Sequence, residues 1–255
     1  MLKKERQNYI LKKVTIQGKA ITNDLSEELG VAKDTIRKDF QELAAKGLVK
    51  RIHGGILKIQ SDIIDFNERI NVNLDIKKKL ASQAVDLVID KKVLFIDGGT
   101  TNLQFVEALP TSYSGTVITN SPAIALALSK NKNVTIHLIG GHMEHKTKII
   151  LGASAVKQIQ GINIESCILG VSSISIENGI TFPSFDETQL KRELIKRSNQ
   201  VIAIVDKEKL ESVATYYCHD ISCIDYLVTD ETNPKIIDEY KTRGINVISC
   251  DLSEE

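Results

Sequence analysis

The residues best suited to a specific chemistry lie between positions 31 and 55, VAKDTIRKDFQELAAKGLVKRIHGG. Ile36, Phe40 and Leu43 recur at helical spacing, which predicts one apolar face on a helix. Four polar side chains fall away from that face, and side chains of these types contact phosphates or base edges: Thr35, Arg37, Lys38 and Gln41. The spacing therefore predicts the second helix of a helix-turn-helix that reads DNA.

A β-hairpin, or wing, is predicted directly after this helix. Gly47 ends the helix as a C′ glycine, and residues 48–52 and 56–59 form two strands around a glycine-containing turn. His53 in that turn either touches a phosphate or has a structural role. Three side chains of the wing are candidates for phosphate contact: Lys50, Arg51 and His53.

Two further helices are predicted before this segment. The first spans residues 5–14 and turns three side chains inward: Tyr9, Ile10 and Val14. The second is capped by Thr22 or Asn23 and runs to Leu29. Gly30 then supplies the tight turn of a helix-turn-helix.

The charge of the chain is divided unevenly. The whole sequence has 33 basic and 33 acidic side chains, but residues 1–58 contain thirteen basic and seven acidic ones. This part therefore carries a net charge of +6, which leaves −6 for the rest. A charged face alone is typical of any small helical domain. Phosphates respond to the local field, however, and the turn glycine, apolar stripe, wing and charge together favour DNA binding.

The composition indicates a globular protein with a sizeable core, since 42% of its 255 residues are hydrophobic. No apolar run approaches the roughly 20 residues that cross a bilayer, and the start MLKKERQNY lacks the apolar segment of a secretory signal. The four cysteines form no CxxC pair, which suits a reducing compartment. We therefore expect a cytoplasmic protein without membrane contact.

The sequence predicts two domains, at residues 1–58 and 77–255, joined by a linker at 59–76. After a helix at 77–89, short apolar runs typical of strands buried on both faces occur at 93–96, 117–119, 134–139, 167–171, 201–205, 226–229 and 247–248. Helical patterns separate most of them, at 103–109, 124–129, 189–197 and 234–241. This alternation predicts an α/β domain with a largely parallel sheet.

Small or polar residues follow the ends of several predicted strands, where ligands of open α/β sheets bind. The sharpest of these segments is DGGTT, at 97–101. Its glycines allow a close approach of the backbone, its threonines can cap the next helix, and that helix N-terminus favours an anion. Asp97 is expected to bind a hydroxyl or to brace the loop, because like charges repel a phosphate. The alternative is an ordinary glycine-rich turn, since DGGTT lacks the spacing of a dinucleotide site or a P-loop.

The segment GVAKDTIRKDFQELAAKGLVKRIHGG resembles the signature of the DeoR family of bacterial transcriptional regulators. DGGTT, TNSPAIA, IGG, ILGVSSI, NGIT and VDKEKL are similar to the sensor domain of that family. The resemblance implies a sensor fold like those of ribose-5-phosphate isomerase, glucosamine-6-phosphate deaminase and CoA transferases. It also implies phosphorylated sugars as inducers, with effector contacts at Asp97, Gly98, Gly99, Thr100, Thr101, Asn120, Ser121, Gly140, Gly141, Gly170 and Lys191.

Some positions depart from the family pattern. Ala32 replaces a common Ser, which removes a helix cap or a phosphate contact. Lys38 replaces an Arg and keeps the charge without the bidentate geometry, so a phosphate is its expected partner. Gly98 replaces a common Ser in the DGGTT loop. Asp186 and Glu187 are interpreted as acids at the start of a surface helix, where they favour the helix N-terminus.

The expected function is therefore that of a DNA-binding regulator, a repressor of a sugar or carbohydrate catabolic operon that a phosphorylated sugar relieves. Its partners would be double-stranded operator DNA, the sugar phosphate and further copies of the chain, as a dimer or tetramer. We expect no enzyme activity, no cofactor and no metal; His142 and His145 lack a matching cluster. One alternative is a sugar-phosphate isomerase- or deaminase-like enzyme with a DNA-binding head, and another is a purely architectural DNA-binding protein.

Overall fold

The N-terminal part of the chain, the head, forms a winged helix. The computed structural model describes residues 1–59 and 63–251; the predicted linker residues 60–62 and the last residues, 252–255, lie outside the described residues. The elements of the head follow the order of a helix-turn-helix and a hairpin: α1 (Lys3–Gln17), β1 (Lys19–Ile21), α2 (Thr22–Leu29), α3 (Lys33–Ala45), β2 (Val49–Ile52) and β3 (Gly55–Ile59).

The head packs around the apolar stripe that the sequence predicts. Ile36, Phe40 and Leu43 on α3 are all buried, and they share one core with side chains of α1 and α2: Ile10, Val14 and Leu25. Gly30 has a φ of 62° between α2 and α3, and Gly47 has a φ of 70° after α3. Both values lie in the left-handed region that favours glycine, so these two turns aim α3 as the sequence predicts.

Two local predictions for the head are wrong. Tyr9 does not turn inward, because it is 37% exposed and its hydroxyl donates a hydrogen bond to Glu28. Neither Thr22 nor Asn23 caps α2, because the N-cap position is Ile21, whose side chain has no polar atom to offer. The existence of both helices is confirmed, but α1 extends beyond the predicted residues 5–14 at both ends.

The rest of the chain forms an α/β domain, called here the sensor domain. Its first half contains α4 (Phe66–Arg69), α5 (Leu74–Val85), β4 (Val93–Ile96), α6 (Thr100–Ala108), β5 (Gly115–Thr119), α7 (Pro122–Leu128), β6 (Val134–Leu138), β7 (His142–Met143), β8 (Ile150–Leu151) and α8 (Ala153–Ile159). Its second half contains β9 (Ser166–Leu169), β10 (Ser173–Ser175), β11 (Gly179–Phe182), α9 (Phe185–Arg197), β12 (Val201–Ile204), β13 (Ser212–Val213), β14 (Tyr216–His219), β15 (Tyr226–Thr229), α10 (Pro234–Lys241) and β16 (Asn246–Ser249).

Seven parallel strands form the central sheet, in the order β16-β15-β12-β9-β4-β5-β6. All seven coincide with the apolar runs of the sequence, so the predicted parallel α/β architecture is confirmed. Successive residues of a central strand enter different cores: Phe95 packs on one face of the sheet, and Leu94 and Ile96 pack on the other. The edge strands differ from the prediction, because β6 leaves Leu138 45% exposed and β16 has no buried residue.

Several short elements of the sensor domain have no recognisable pattern in the sequence. They are the antiparallel sheet β10-β11-β14, the pair β7-β8 and the helix α8. Strands of two to four residues carry too few apolar positions to show a period. The segment predicted as a linker contains α4 and the start of α5.

The wing sheet extends into the sensor domain. β3 pairs with β2 along one edge, and along the other it pairs first with β1 and then with β13. In the parallel pair, Lys58 lies opposite Ser212, and Ile59 lies opposite Val213. The head and the sensor domain therefore share one sheet. Across residues 1–59 and 63–251, none of the helices combines the length and apolarity needed to cross a bilayer.

Candidate nucleic-acid interface and ligand pocket

The predicted DNA contacts lie on the exposed side of α3 and on the wing. Six of these seven side chains are exposed and Thr35 is half-buried; the exposed ones are Arg37, Lys38, Gln41, Lys50, Arg51 and His53. The guanidinium of Arg37 lies 2.9 Å from the Asp34 carboxylate in an exposed pair. Such a pair contributes little to stability, so Arg37 can exchange it for a base edge. Ala32 is the N-cap of α3 and provides no side-chain cap, as its identity predicts.

A cavity lies at the carboxyl ends of β4, β9 and β12. The chain passes from β4 outward to β5 and β6 and returns to β9 on the other side of β4, so the cavity lies where the strand order reverses. Counted with its open mouth, it encloses about 760 Å³. Its wall contains the DGGTT residues Gly98, Gly99, Thr100 and Thr101, at the start of α6. It also contains three charged side chains: Arg69, Glu187 and Lys209.

Asp97 braces this cavity from behind and does not line it. Its carboxylate is fully buried and accepts hydrogen bonds from the backbone N–H groups of Gly98 (2.9 Å) and Gly170 (2.8 Å) and from the Asn120 amide (2.8 Å). It also forms an ion pair with Lys191. Of the two roles predicted for Asp97, this geometry favours the loop brace.

The placement of Lys191 corrects the expectation that its ammonium meets a phosphate. Lys191 is 1% exposed and does not line the cavity. Its ammonium contacts Asp97, donates to the Gly170 carbonyl at 3.0 Å and lies over the Phe182 ring, 5.1 Å from its centre. Burial alone would lower the pKa of Lys191, but the Asp97 carboxylate, aided by Glu187, outweighs burial and raises it. Lys191 therefore stays protonated and joins Asp97 to the Gly170 backbone behind the cavity.

The structure separates the other predicted effector residues into three groups. The cavity wall includes Gly98, Gly99, Thr100, Thr101 and Gly170. Asn120 supports the wall, because its amide oxygen accepts from the Gly98 N–H at 2.8 Å. Three others lie elsewhere: Ser121 caps α7, and Gly140 and Gly141 are exposed in a turn whose Gly140 pairs with the Gln158 side chain.

The DGGTT loop differs in detail from its prediction. Gly99, and neither threonine, is the N-cap of α6. A Cβ on Gly98 would lie 2.1 Å from a methyl carbon of Ile149, so packing requires this glycine. A Cβ on Gly99 would meet no atom within 4 Å, because that side opens into the cavity. The N-terminal amides of α6 therefore face a space that an anion can enter.

Two cations of the cavity wall, Arg69 and Lys209, are not among the site residues predicted from the sequence. Arg69 lies on α4, inside the segment predicted as a linker, and its Nε donates to the Ile64 carbonyl at 3.1 Å. Lys209 lies in a short 3₁₀ turn after β12, with its Nζ 3.3 Å from Asp206. Behind them Lys77 is buried and donates to the Arg69 carbonyl at 2.6 Å. Burial, reinforced by Lys209, lowers the pKa of Lys77 to about 8, as expected beside other cations.

The predicted surface position of Glu187 is wrong. It lies in the first turn of α9, as expected, but it is only 7% exposed and faces the cavity. One of its carboxylate oxygens lies 3.5 Å from the Lys191 ammonium. Burial raises the pKa of Glu187, against the opposing effect of Lys191. Its neighbour Asp186 is exposed, and no acid pattern in the sequence distinguishes the two.

The described part of the chain contains no group of three or more His, Cys, Asp or Glu side chains placed to hold a metal ion. The cavity instead combines backbone amides, two cations and one carboxylate. This set suits an organic anion that also carries hydrogen-bond donors.

Comparisons with known proteins cover both domains. The family described as DeoR-like helix-turn-helix domain matches residues 6–62, and the family described as DeoR C terminal sensor domain matches residues 72–231. The transcriptional regulator GolR of Listeria innocua is 30% identical over 95% of this chain and 97% of its own length. For the regulator GlpR of Haloferax volcanii the identity is 29%, over 97% and 98%.

A third relative is the glycerol-3-phosphate regulon repressor of Escherichia coli strain K12, which is 29% identical over 92% of this chain and 93% of its own. Among solved structures, ribose 5 phosphate isomerase A from Neisseria gonorrhoeae is 16% identical over 54% of each chain, with a TM-score of 0.40. That structural likeness is too weak to support an argument about function.

Proposed function

The chain belongs to the DeoR family of transcriptional regulators, and from this premise we propose that it represses a sugar or other carbohydrate catabolic operon until a phosphorylated sugar binds in the sensor domain. Family membership also decides between the functions that the sequence left open: the chain is a DNA-binding regulator and not an isomerase- or deaminase-like enzyme. The name of the E. coli relative supports both repression and a phosphate ester as the signal.

The chemistry of the cavity supports the phosphate ester. Helix α6 begins at the cavity wall, with Gly99 as its N-cap, and Arg69 and Lys209 add positive charge to the same wall. Helix N-termini and guanidinium groups both favour phosphate oxygens. A phosphate in this place would compete with Asp206 for the ammonium of Lys209.

The observation that carries the proposal is the short path from this cavity to the wing. β13, which pairs with the wing strand β3, begins three residues after Lys209. The head also packs against the residues between Lys209 and β13. A Cβ on Gly18 would lie 2.9 Å from the Leu210 carbonyl, and the Lys19 ammonium lies 3.9 Å from the Glu211 carboxylate. A shift of Lys209 toward a phosphate therefore acts on the strand that orients the wing.

The DNA-binding part of the proposal uses the exposed side of α3 and the wing. Arg37 reads a base edge, and the remaining predicted contacts, Thr35, Lys38, Gln41, Lys50, Arg51 and His53, position the head on phosphates or bases. Proteins of this kind place two heads on two half-sites, so the active form is a homo-oligomer on double-stranded operator DNA. A reader of chromosomal operators works in the cytoplasm.

The test uses the purified full-length protein and DNA, both from the region upstream of its own operon and from selection out of random sequence. We expect specific binding in a mobility shift, and one member of a panel of pentose, hexose and triose phosphates should weaken it by about 5- to 150-fold, the usual range of coupling between sites. The absence of any specific DNA binding at low salt would overturn the regulator function. DNA binding that no phosphate ester alters would overturn the effector.

A further inference from the structure

The cavity wall carries two chemically different kinds of group. The amides before α6 and the cations Arg69 and Lys209 suit a phosphate. On α9, Glu187 presents a carboxylate beside the buried ammonium of Lys191 and within reach of the charge of Arg69. The wall also contains apolar side chains: Ile63, Ile64, Ile149, Val171 and Ile204.

Glu187 retains acceptor capacity that the protein itself uses weakly. The Lys191 ammonium is directed first to Asp97 and to the Gly170 carbonyl, and it reaches Glu187 only at 3.5 Å. Arg69 also acts on this carboxylate through its charge, but neither cation lies within hydrogen-bond distance of it in the way that Lys191 does of Asp97. A carboxylate has about four lone-pair sites, so most of them are left without a hydrogen bond. Glu187 is nonetheless nine-tenths buried, and its pKa is raised by that burial. Burying such a group without partners is costly, so a bound molecule that donates hydrogen bonds would be stabilised here.

The same carboxylate disfavours a small anion. Inorganic phosphate at the amides before α6 gains no hydrogen bond from Glu187 and is repelled by its charge. An ester whose phosphate meets these amides, and whose hydroxyl groups reach Glu187 on α9, satisfies both kinds of group at once. A site built to bond hydroxyl groups rejects analogues that lack them, because its polar group is then left unpaired.

We propose that Glu187 is the residue that selects the organic part of the effector: its carboxylate accepts hydrogen bonds from the hydroxyl groups of a polyhydroxylated phosphate ester. This selection rests on the proposed function, since it assumes that the cavity is the effector site. Asp186, one residue earlier, is exposed and takes no part.

The experiment measures binding of a set of probes to the full chain by calorimetric titration. The hydroxylated probes are glucose 6-phosphate, fructose 6-phosphate, ribose 5-phosphate and glycerol 3-phosphate; the probes without hydroxyl groups on carbon are propyl phosphate and inorganic phosphate. Wild-type protein should bind at least one hydroxylated probe roughly tenfold or more tighter than propyl phosphate. Glu187→Gln should weaken that probe while propyl phosphate binds unchanged or tighter, because the repelling charge is gone.

Asp186→Asn is the matched control, since it removes the same charge one residue away from an exposed position and should change neither probe. Melting temperatures of both variants report on folding. Equal weakening of all probes by Glu187→Gln would assign it a structural role and overturn the selection. If propyl phosphate binds wild-type protein as tightly as the sugar phosphates, the selection fails while the anion site of the proposed function stands. If no probe binds, the proposed effector itself fails.

Discussion

Lys58 of the wing lies directly opposite Ser212 of the sensor domain in a parallel strand pair. The pairing joins the wing, which we propose contacts DNA, to a segment that begins at the cavity wall. It has only two register positions, Lys58–Ser212 and Ile59–Val213, so it contributes a few backbone hydrogen bonds at most. A joint of this size is comparable with the coupling energies of about 1–3 kcal/mol that link two binding sites.

The contact at Gly18 tests this joint. Gly18→Ala places a Cβ 2.9 Å from the Leu210 carbonyl at a φ of 75°, which forces the head away from the β13 segment. We expect the ratio of operator affinities with and without the effector to fall toward one. Gly30→Ala is the control, because its φ of 62° imposes similar strain of about 1–2 kcal/mol while its Cβ meets no atom within 4 Å. An unchanged ratio in Gly18→Ala, or an equal fall in both variants, would contradict a role for this contact.

Replacing Arg37 should weaken specific DNA binding. Arg37→Ala removes the candidate base contact, and we expect a loss of about 1–3 kcal/mol together with relaxed preference at one base position. Lys50→Ala should instead weaken all sequences alike and lower the salt dependence by about one unit of slope. Fluorescence anisotropy over a salt series separates the two effects. Lys130 is an exposed cation of the sensor domain, so Lys130→Ala should change neither the specific affinity nor its salt dependence. The same response in all three variants would refute the DNA contacts assigned to Arg37 and Lys50.

The cations of the cavity should control phosphate binding. Arg69→Ala and Lys209→Ala each remove a charge from the cavity wall, and we expect each to weaken a bound sugar phosphate by about 1.5–3 kcal/mol, the range of charge-assisted hydrogen bonds. Lys207→Ala is the matched control, because Lys207 begins the same 3₁₀ turn and is exposed. If the Lys207 variant loses as much affinity as the Lys209 variant, the effect is one of general charge and not of the site.

The buried pair of Asp97 and Lys191 should be required for stability. Lys191→Met leaves a carboxylate fully buried with no counter-charge, and we expect the free energy of unfolding in urea to fall by about 3–5 kcal/mol. The double variant Asp97→Asn with Lys191→Met removes both charges and should recover part of this loss. A double variant less stable than Lys191→Met alone would show that hydrogen bonding to the loop, and not the unpaired charge, dominates the cost.

Lys77 should give the stability a recognisable pH dependence. Its pKa is about 8 in the folded chain against 10.5 for an ordinary lysine, so between these values the unfolded chain binds more protons. The free energy of unfolding therefore rises from pH 8 to pH 10.5, by roughly 3 kcal/mol at most from this group. Below pH 8 the folded chain bears the full cost of the buried charge. Urea unfolding near pH 7 and near pH 10 should show this rise in wild type and in Lys78→Met, whose side chain is exposed, but not in Lys77→Met.

The strongly periodic elements of this fold were predictable from sequence. The stripe of Ile36, Phe40 and Leu43 and the seven apolar runs follow from burial, which the sequence records directly. The joint between the domains was not predictable, because β13 is two residues long and its pairing with β3 depends on the folded sensor domain. Short strands of this kind acquire their partners from tertiary structure and not from local propensity.

The site was predictable only in part, for a related reason. Glycines at a strand end have a local meaning, and the DGGTT loop does lie in the cavity wall; its contact with an effector stays a prediction. The directions of charged side chains were not predictable: the sequence predicts Lys191 at the ligand, Glu187 at the surface and Arg69 in a linker. In the structure Lys191 is buried behind the cavity, and Glu187 and Arg69 line it. The burial of a charge depends on neighbours distant in sequence, such as Asp97 beside Lys191.

The two-residue strand β13 also bears on how such regulators diversify. The side of α3 that we propose reads bases and the Glu187 carboxylate that we propose selects the effector both lie outside this strand, so neither proposed specificity depends on its residues. A head could thus be exchanged for that of a related chain and still respond to the original effector, provided that β3 and the contacts of Gly18 and Lys19 with the β13 segment are retained. The fold is in this sense modular: operator specificity and effector specificity can change independently during evolution.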